Sequence, residues 1–186
     1  YPFAPFDPDP PLMKTLPESY CIICPSAGKA ANRWPADRYG ALAAQLPLPC
    51  LVIASAGEAS VADAVVAGSR GNARSLAGQT GLKELIPLIQ KARFFVCNDT
   101  GPMHIAAALE VPVFAIFGPA NPIRTGPYGR IHTVIRKDLP CSPCYAKKSC
   151  SHFSCMLDIT ADQVFSTIRQ SQGRLFDTGR PGREGP

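Results

Sequence analysis

The sequence lacks any stretch of about 18 uncharged apolar residues, which is the length that a membrane-spanning helix needs. Its first residues also lack a basic segment followed by an apolar one, the pattern of a secretory leader. Its 19 lysines and arginines are scattered and form no basic block, so a general nucleic-acid-binding surface is not indicated. We therefore expect a soluble, cytoplasmic protein that does not bind nucleic acid.

The overall amino-acid composition is that of a globular protein. The chain has 186 residues, of which 46% are hydrophobic and 18% are charged, enough for one sizeable core or a core with an appendage. The formal charge of +5 is compatible with an anionic ligand or an acidic membrane face. There are eight cysteines, but because four lie in predicted strands and only four cluster, the count alone does not indicate an exported protein.

The two ends of the chain differ in composition from the middle. Residues 1–17 contain six prolines, which oppose regular helix or central strand and predict an extended linker. Residues 173–186 combine four glycines and two prolines with little apolar content, which predicts a disordered tail. One domain is therefore predicted over residues 18–172, including a cysteine-rich loop at 141–155.

Within that domain, apolar runs that predict strands alternate with segments that predict helices. The predicted strands are 20–24, 50–55, 73–76, 93–97, 112–117 and 131–136. The predicted helices are 35–45, 60–67, 82–92, 103–109 and 161–171, the last capped by Thr160. Continuous apolar runs are typical of strands buried on both faces. The fold class predicted is α/β, a Rossmann-like and mostly parallel sheet with helices on both faces.

Such sheets bind ligands beyond the carboxyl ends of their strands, where the loops at 25–34, 55–58 and 98–104 are expected. In the third loop, Gly101 and Pro102 turn the chain into a helix whose free N–H groups and positive dipole end favour an anion. Thr100 can add a hydroxyl and His104 a ring N–H, whereas Asp99 can accept from sugar hydroxyls or fix the loop. The pattern favours a phosphate with a polyol; the alternative is an ordinary helix cap with a surface histidine.

Several segments resemble the ADP-heptose lipopolysaccharide heptosyltransferases. NDTGPMHIAAALEVPVFAIFGPANPIRTGPYG, residues 98–129, resembles their donor-side motif, and the resemblance extends over about residues 20–170. The supporting segments are ANRWPADRYGALAAQL, LAGQTGLKELIPLIQKARFFVCNDTGPMH and CSPCYAKKSCSHFSCMLDIT. The resemblance implies a GT-B glycosyltransferase of two Rossmann-like domains, of which this chain would be the carboxy-terminal, donor-binding half.

Such enzymes invert the anomeric centre without a metal or other cofactor, and their catalytic base lies in the amino-terminal domain. No catalytic residue is therefore assigned here, and the isolated chain is expected to be an incomplete enzyme. The expected partners are an ADP-sugar donor, namely ADP-heptose, and a lipid A–core acceptor reached through the missing domain. A peripheral contact with the inner face of the inner membrane is a further expectation. The alternative is a noncatalytic nucleotide-sugar-binding module without an acceptor domain.

The donor motif implies a role for each residue of 99–104. Asp99 would hold the heptose or its own loop, and His104 would face the phosphate. The backbone N–H groups of Thr100, Gly101 and Met103 would bind the diphosphate, with Pro102 in the turn between them.

Other predicted donor contacts come from three further segments. Ser26 and Ala27 resemble positions near the phosphate or sugar, and Glu58 resembles the acid that binds the ribose, unless it is only a favourable first-turn acid. Thr80 and Leu82 would contact the adenine, with helix capping as the alternative for Thr80.

Arg124 would neutralise the diphosphate or brace its loop. Tyr128 is expected to be structural, and Trp34 to pack under a helix.

The chain departs from the family where many members carry lysine directly before the Arg-Trp-Pro segment, because Asn32 stands there. Lys29 either takes over that role or is merely solvated.

Cys141, Cys144, Cys150 and Cys155 have spacing that suits a zinc site, disulfides or reduced thiols, and we assign no metal. The four cysteines in predicted strands, Cys21, Cys24, Cys50 and Cys97, are expected to be small buried hydrophobes.

Overall fold

A computed structural model describes residues 10–145 and 150–176, except for the side chain of Arg174. Six strands form one sheet: β1 (Cys21–Cys24), β2 (Cys50–Val52), β3 (Ala73–Ser75), β4 (Phe95–Asn98), β5 (Val113–Phe117) and β6 (Thr133–Arg136). Their order is β3-β2-β1-β4-β5-β6, and every pair is parallel. The predicted Rossmann-like α/β fold is confirmed.

The helices are α1 (Ala36–Ala43), α2 (Ala59–Gly68), α3 (Leu82–Gln90), α4 (Gly101–Ala108), α5 (Pro122–Thr125), α6 (Ser154–Leu157) and α7 (Ala161–Ser171). Predicted and observed bounds mostly differ by one to three residues. The prediction started α4 at Met103, and this was wrong because Pro102 is tolerated in the first turn of a helix, which begins at Gly101.

Each face of the sheet supports its own layer of core side chains, because side chains alternate along a strand. On one face, Cys21 and Ile23 of β1 belong to the same cluster as side chains of α1, α2 and α7. On the other face, Ile22 and Cys24 join side chains of α3 and α4, including the fully buried Met103. Helices therefore cover both faces, as the apolar runs predicted.

Two of the helices approach each other at glycine. A Cβ atom added to Gly40 of α1 would lie 2.8 Å from the Cα atom of Gly68 in α2. Glycine at these positions lets the two backbones come into contact. α1 follows the loop after β1, and α2 follows Glu58 in the loop after β2. The contact therefore sets the distance between two of the three loops at the carboxyl ends of the strands.

Parts of both predicted ends are folded. Pro11–Thr15 forms a 3-10 helix that buries Met13, which differs from the extended linker expected there. A short 3-10 helix accepts proline in its first turn, and Met13 gives it an apolar anchor. Residues 1–9 lie outside the described residues.

At the carboxyl end, α7 has the predicted cap, with Thr160 Oγ1 accepting from the Gln163 N–H at 3.2 Å. Beyond α7, Gly173–Leu175 forms a 3-10 helix, and the ring of Phe176 contacts that of Phe165 at 5.5 Å. The first residues of the expected tail are thus packed, because they carry two large apolar side chains; residues 177–186 lie outside the described residues. In the described ranges, no helix is long and apolar enough to cross a membrane.

Candidate functional site

The strand order places one crevice at the centre of the sheet. The chain moves outwards in one direction from β1 to β3, then returns and places β4 on the other side of β1. The loops after β1 and β4 therefore diverge, and the gap between them is where open parallel sheets bind ligands. Two of the three predicted ligand loops, 25–34 and 98–104, meet at this point.

Asn98, at the end of β4, fixes the loop after β1 against this crevice. It is completely buried, and its Oδ1 accepts from the Trp34 backbone N–H at 3.0 Å and from the Tyr39 hydroxyl at 2.9 Å. Its Nδ2 donates to the Pro25 carbonyl at 2.7 Å. The prediction did not assign Asn98 a role, although a lone amide at the end of an apolar strand is a signal for a buried polar network.

Trp34 has the packing role that was predicted. Its side chain is buried, its Nε1 donates to the Ile159 carbonyl at 2.9 Å, and its ring meets that of Tyr39 edge-on at 4.7 Å. The indole thus connects the loop after β1 to the segment that leads into α7.

The amino terminus of α4 opens into the crevice without a side-chain cap. Thr100 is the N-cap residue, but its hydroxyl makes no capping hydrogen bond. Within the described residues, the backbone N–H groups of Thr100 and Gly101 make no hydrogen bond either. The Met103 N–H donates to the Thr100 carbonyl at 3.2 Å, so this predicted phosphate donor is already occupied by the tight first turn.

A cavity of about 290 Å³ lies at this end of the sheet. It is lined by Cys24, Ser26, Ile53, Ala54, Ser55, Glu58, Thr80, Leu85, Thr100 and Pro102. Five of these residues were predicted site residues, and they come from four separate segments of the sequence. Two larger cavities, one between β6 and α7 and one near the amino ends of β2 and β3, are lined by no predicted site residue.

Ser26 is the polar group in the cavity that most needs a partner. Its hydroxyl oxygen is buried and makes no hydrogen bond with any described residue. A buried hydroxyl without a partner costs about 1–3 kcal/mol, so a ligand that bonds to it would recover that energy. Such an exception in a folded protein is often explained by a missing ligand or water.

Glu58 connects the loops after β1 and β2. Its Oε1 lies 3.0 Å from Arg33 Nη2, and its Oε2 accepts from the Ser55 hydroxyl at 3.0 Å. Arg33 Nε also donates to the carbonyl of the buried Ala27 at 2.9 Å. The pair is partly exposed and adds little stability, but a carboxylate has further lone pairs with which to accept ligand hydroxyls.

On α3, the residue that lines the cavity is not the one predicted. Leu82 is 63% exposed, whereas Leu85, on the next turn, faces the cavity. Thr80 lines the cavity. It is not the cap of α3, because Gly81 is the N-cap residue and its N–H donates to Glu84.

Asp99 joins three loops on the other side of the crevice. Its Oδ2 accepts from Asn32 Nδ2 and from the Thr125 hydroxyl, both at 3.3 Å. Burial raises the pKa of Asp99, while the Thr125 hydrogen bond and the charges of His104 and Lys29 lower it in part. Asn32 therefore contacts Asp99 at the position where many relatives were expected to carry lysine.

Comparison with known proteins shows the family of the chain. Residues 5–153 match the model of glycosyltransferase family 9 (heptosyltransferase). The chain belongs to this family.

Two relatives show how the chain compares with longer heptosyltransferases. It is 45% identical over 71 residues to lipopolysaccharide heptosyltransferase 1 of Pseudomonas aeruginosa, a match to 38% of this chain and 20% of that protein. The structure of the E. coli ADP-heptose lipopolysaccharide heptosyltransferase II superposes with a TM-score of 0.74 at 29% identity, over 88% of this chain and 50% of that one. The chain thus spans about half the length of this solved relative.

A third protein shares the fold at lower identity. The E. coli heptosyltransferase WaaC, solved with ADP, superposes with a TM-score of 0.70 at 22% identity, over 86% of this chain and 47% of that one.

In this family 9 chain, Arg124 does not line the cavity. Its guanidinium carbon lies 5.7 Å from the centroid of the Tyr145 ring, a cation–π contact that suits the bracing role left open by the sequence. Tyr128 is 93% exposed, so the expected structural role was wrong. It lies between Pro127 and Gly129 in a loop that carries it away from the core.

The cysteines divide into two groups. Cys21, Cys24, Cys50 and Cys97 are buried in strands, as predicted, and burial raises the pKa of Cys24 to about 12. In the other group, Cys141 and Cys144 are exposed and Cys155 is buried.

All eight cysteines are free thiols in this structure. Within residues 10–145 and 150–176, no group of three or more His, Cys, Asp or Glu side chains is arranged to hold a metal ion. Nearby thiols add to the burial that raises the pKa of Cys155, so the second group of cysteines is at least loosely clustered.

Proposed function

We propose that this family 9 domain is the donor-binding half of an inverting heptosyltransferase and binds ADP-heptose at the carboxyl ends of β1 and β4. The observation that carries the proposal is that Ser26, Glu58, Thr80 and Thr100 line one cavity beside the amino terminus of α4. These residues come from four segments, and the fold brings them together where ligands of such sheets bind.

The nucleoside end of the donor would occupy the cavity. Leu85 and Ile53 supply apolar surface for a base, and Thr80 supplies a hydroxyl. Glu58 would accept hydrogen bonds from the ribose hydroxyls while Arg33 and Ser55 hold its two oxygens.

The diphosphate would lie over the first turn of α4. Within the described residues, the backbone N–H groups of Thr100 and Gly101 have no partner, and the helix dipole adds partial positive charge. Ser26 would donate its buried hydroxyl, and the side chains of His104 and Lys29 lie close enough to Asp99 to act on the same region.

In the reaction proposed, an acceptor hydroxyl attacks the anomeric carbon of the heptose as the bond to the diphosphate breaks. Negative charge then grows on the leaving phosphate oxygens, where preorganised N–H donors are most effective. The base that takes the proton of the acceptor belongs to an amino-terminal half. The lipid A–core acceptor and a contact with the inner membrane are parts of the same proposal.

Calorimetric titration with ADP tests the proposal, using the wild type and Ser26→Ala. Because the Ser26 hydroxyl has no partner in the described residues, its removal should leave stability unchanged or slightly higher. We expect the affinity for ADP to fall by about 10- to 100-fold, the value of a hydrogen bond to a charged group.

Ser171→Ala, at the end of α7, is the matched control and should leave both properties unchanged. A wild-type protein that does not bind ADP, or a Ser26→Ala protein that binds it as tightly as the wild type, contradicts the proposed site.

A second candidate is a nucleotide-sugar-binding module that does not itself catalyse transfer, because the cavity residues are assigned donor contacts and none of them is assigned as a base. Turnover of ADP-heptose and a core acceptor, with and without a separately produced amino-terminal half of a family 9 enzyme, distinguishes the two. Transfer only in the mixture supports a catalytic half, and donor binding without transfer in either sample supports the module.

A further inference from the structure

Three loops meet at a single carboxylate oxygen. Asn32 lies in the loop after β1, Asp99 follows β4, and Thr125 lies in α5 after β5. Asn32 Nδ2 and the Thr125 hydroxyl both donate to Asp99 Oδ2, each at 3.3 Å. The other oxygen, Oδ1, accepts no hydrogen bond from any described residue.

The position of this cluster along the sheet indicates what it can bind. Glu58 and Thr80 follow β2 and β3, and Thr100 follows β4 at the centre of the sheet order. Thr125 follows β5, on the far side of β4 from the nucleoside cavity. A donor with its nucleoside in the cavity and its diphosphate on α4 would therefore extend its third part, the sugar, towards the cluster.

The chemistry of the cluster suits hydroxyl groups and opposes phosphate. An ionised carboxylate only accepts hydrogen bonds, and it repels a second anion. The hydroxyls of a sugar can donate to Oδ1, and they can also accept from Asn32, whose Nδ2 carries a second hydrogen. Asp99 is partly buried, so a hydroxyl at Oδ1 would replace water that burial has removed.

We propose that Asn32 and Thr125 are positioning residues that orient the Asp99 carboxylate to recognise the sugar hydroxyls of the nucleotide-sugar donor. This inference rests on the proposed function. It adds the contact by which the chain would distinguish a nucleotide sugar from a bare nucleotide. The two donors fix one oxygen from two sides, so the other oxygen is held towards the crevice. Neither residue contacts the nucleoside cavity.

The test compares ADP with ADP-heptose by calorimetry on the full chain. Thr125→Val keeps the shape of the side chain and removes its hydroxyl, and Asn32→Ala removes the amide. Each substitution should lower the affinity for ADP-heptose by about tenfold and leave the affinity for ADP within about twofold. Thr133→Val, in the edge strand β6, is the matched control and should change neither affinity.

A pH profile distinguishes positioning from a purely structural role. The Thr125 hydrogen bond lowers the pKa of Asp99, so Thr125→Val should raise it. The carboxylate must be ionised to accept from the sugar, so the acid loss of ADP-heptose affinity should move to higher pH in this variant. The described ionisable groups that act on Asp99 are Lys29, His104 and Cys97. Their titration can change the affinity for ADP as well, so the quantity followed against pH is the ratio of the affinity for ADP-heptose to the affinity for ADP.

The possible failures are distinguishable. If the wild type does not bind ADP, the proposed function itself is wrong, and the inference that rests on it is overturned as well. If the wild type binds ADP and ADP-heptose equally tightly, the nucleotide site stands and the sugar-recognition cluster is overturned. Equal weakening of both ligands in Thr125→Val and Asn32→Ala, or no change in either, also overturns it.

Discussion

At the scale of single residues, Asn98 satisfies three groups that the fold buries around the crevice: the Pro25 carbonyl, the Trp34 N–H and the Tyr39 hydroxyl. Asn98→Ala would remove a partner from each of them and leave a small cavity. At about 1 kcal/mol for each lost hydrogen bond, we expect the free energy of unfolding to fall by roughly 3 kcal/mol. Urea denaturation, followed by circular dichroism, measures this change.

A second asparagine provides the comparison. Asn121 caps the short helix α5, where its Oδ1 accepts from the Ile123 N–H at 3.0 Å, and its loss should cost about 1 kcal/mol. If Asn98→Ala destabilises the protein no more than Asn121→Ala does, the buried network is not what fixes the loop after β1.

At the scale of elements, the contact between α1 and α2 sets the distance between two loops of the site. Gly40→Ala would place a Cβ atom 2.8 Å from the Cα atom of Gly68, and because both sides of the contact are backbone, one helix has to move. We expect a loss of about 1–3 kcal/mol in the free energy of unfolding, the usual cost of overpacking, again measured in urea.

The same displacement should also weaken binding of ADP, since Arg33 precedes α1 and its ion-pair partner Glu58 precedes α2. Gly173→Ala is the control, because a Cβ atom there meets nothing within 4 Å. A Gly40→Ala protein as stable as Gly173→Ala would mean that the two helices can separate without cost.

The elements themselves could be predicted because their signals are local. The runs around Cys21–Cys24 and Val113–Phe117 are apolar at every position, and every residue in them is buried. α7 begins with a capping box, a pattern of four residues that Thr160 opens and Gln163 closes. The error in the predicted start of α4 was also local. The prediction placed Pro102 before the helix, although proline fits the first turn.

The site was only partly predictable, because its remaining parts depend on long-range geometry. Met13 is buried only because the other face of the sheet offers it an apolar surface, and no periodic pattern around it indicates this. Leu85 replaces Leu82 at the cavity through the orientation of α3, which the sequence does not specify. The occupied N–H of Met103 and the free hydroxyl of Ser26 likewise follow from the exact path of two loops.

At the scale of the whole molecule, burial divides the thiols into two groups with opposite expected reactivity. Cys21, Cys24, Cys50 and Cys97 lie in central strands between two core layers, and burial raises the pKa of each thiol for which a shift is resolved. Because the thiolate is the reactive form, these four should not react until the sheet opens. Cys155 is also buried, and its pKa is raised as well.

We therefore expect a thiol reagent such as DTNB, at about pH 8, to modify Cys141, Cys144 and Cys150 rapidly in the native protein and the other five only at the rate of unfolding. Concentrated guanidinium is the control and should expose all eight. Rapid reaction of a fourth thiol would mean that Cys155 or part of the sheet opens without global unfolding, and rapid reaction of more than four would mean that the sheet itself opens. Fewer than three would mean that the cysteines at 141–155 are held by a metal or a disulfide, the alternatives to free thiols, because Cys141 and Cys144 are both exposed and the Sγ of Cys141 has only a long contact, 4.0 Å, with His152 Nε2.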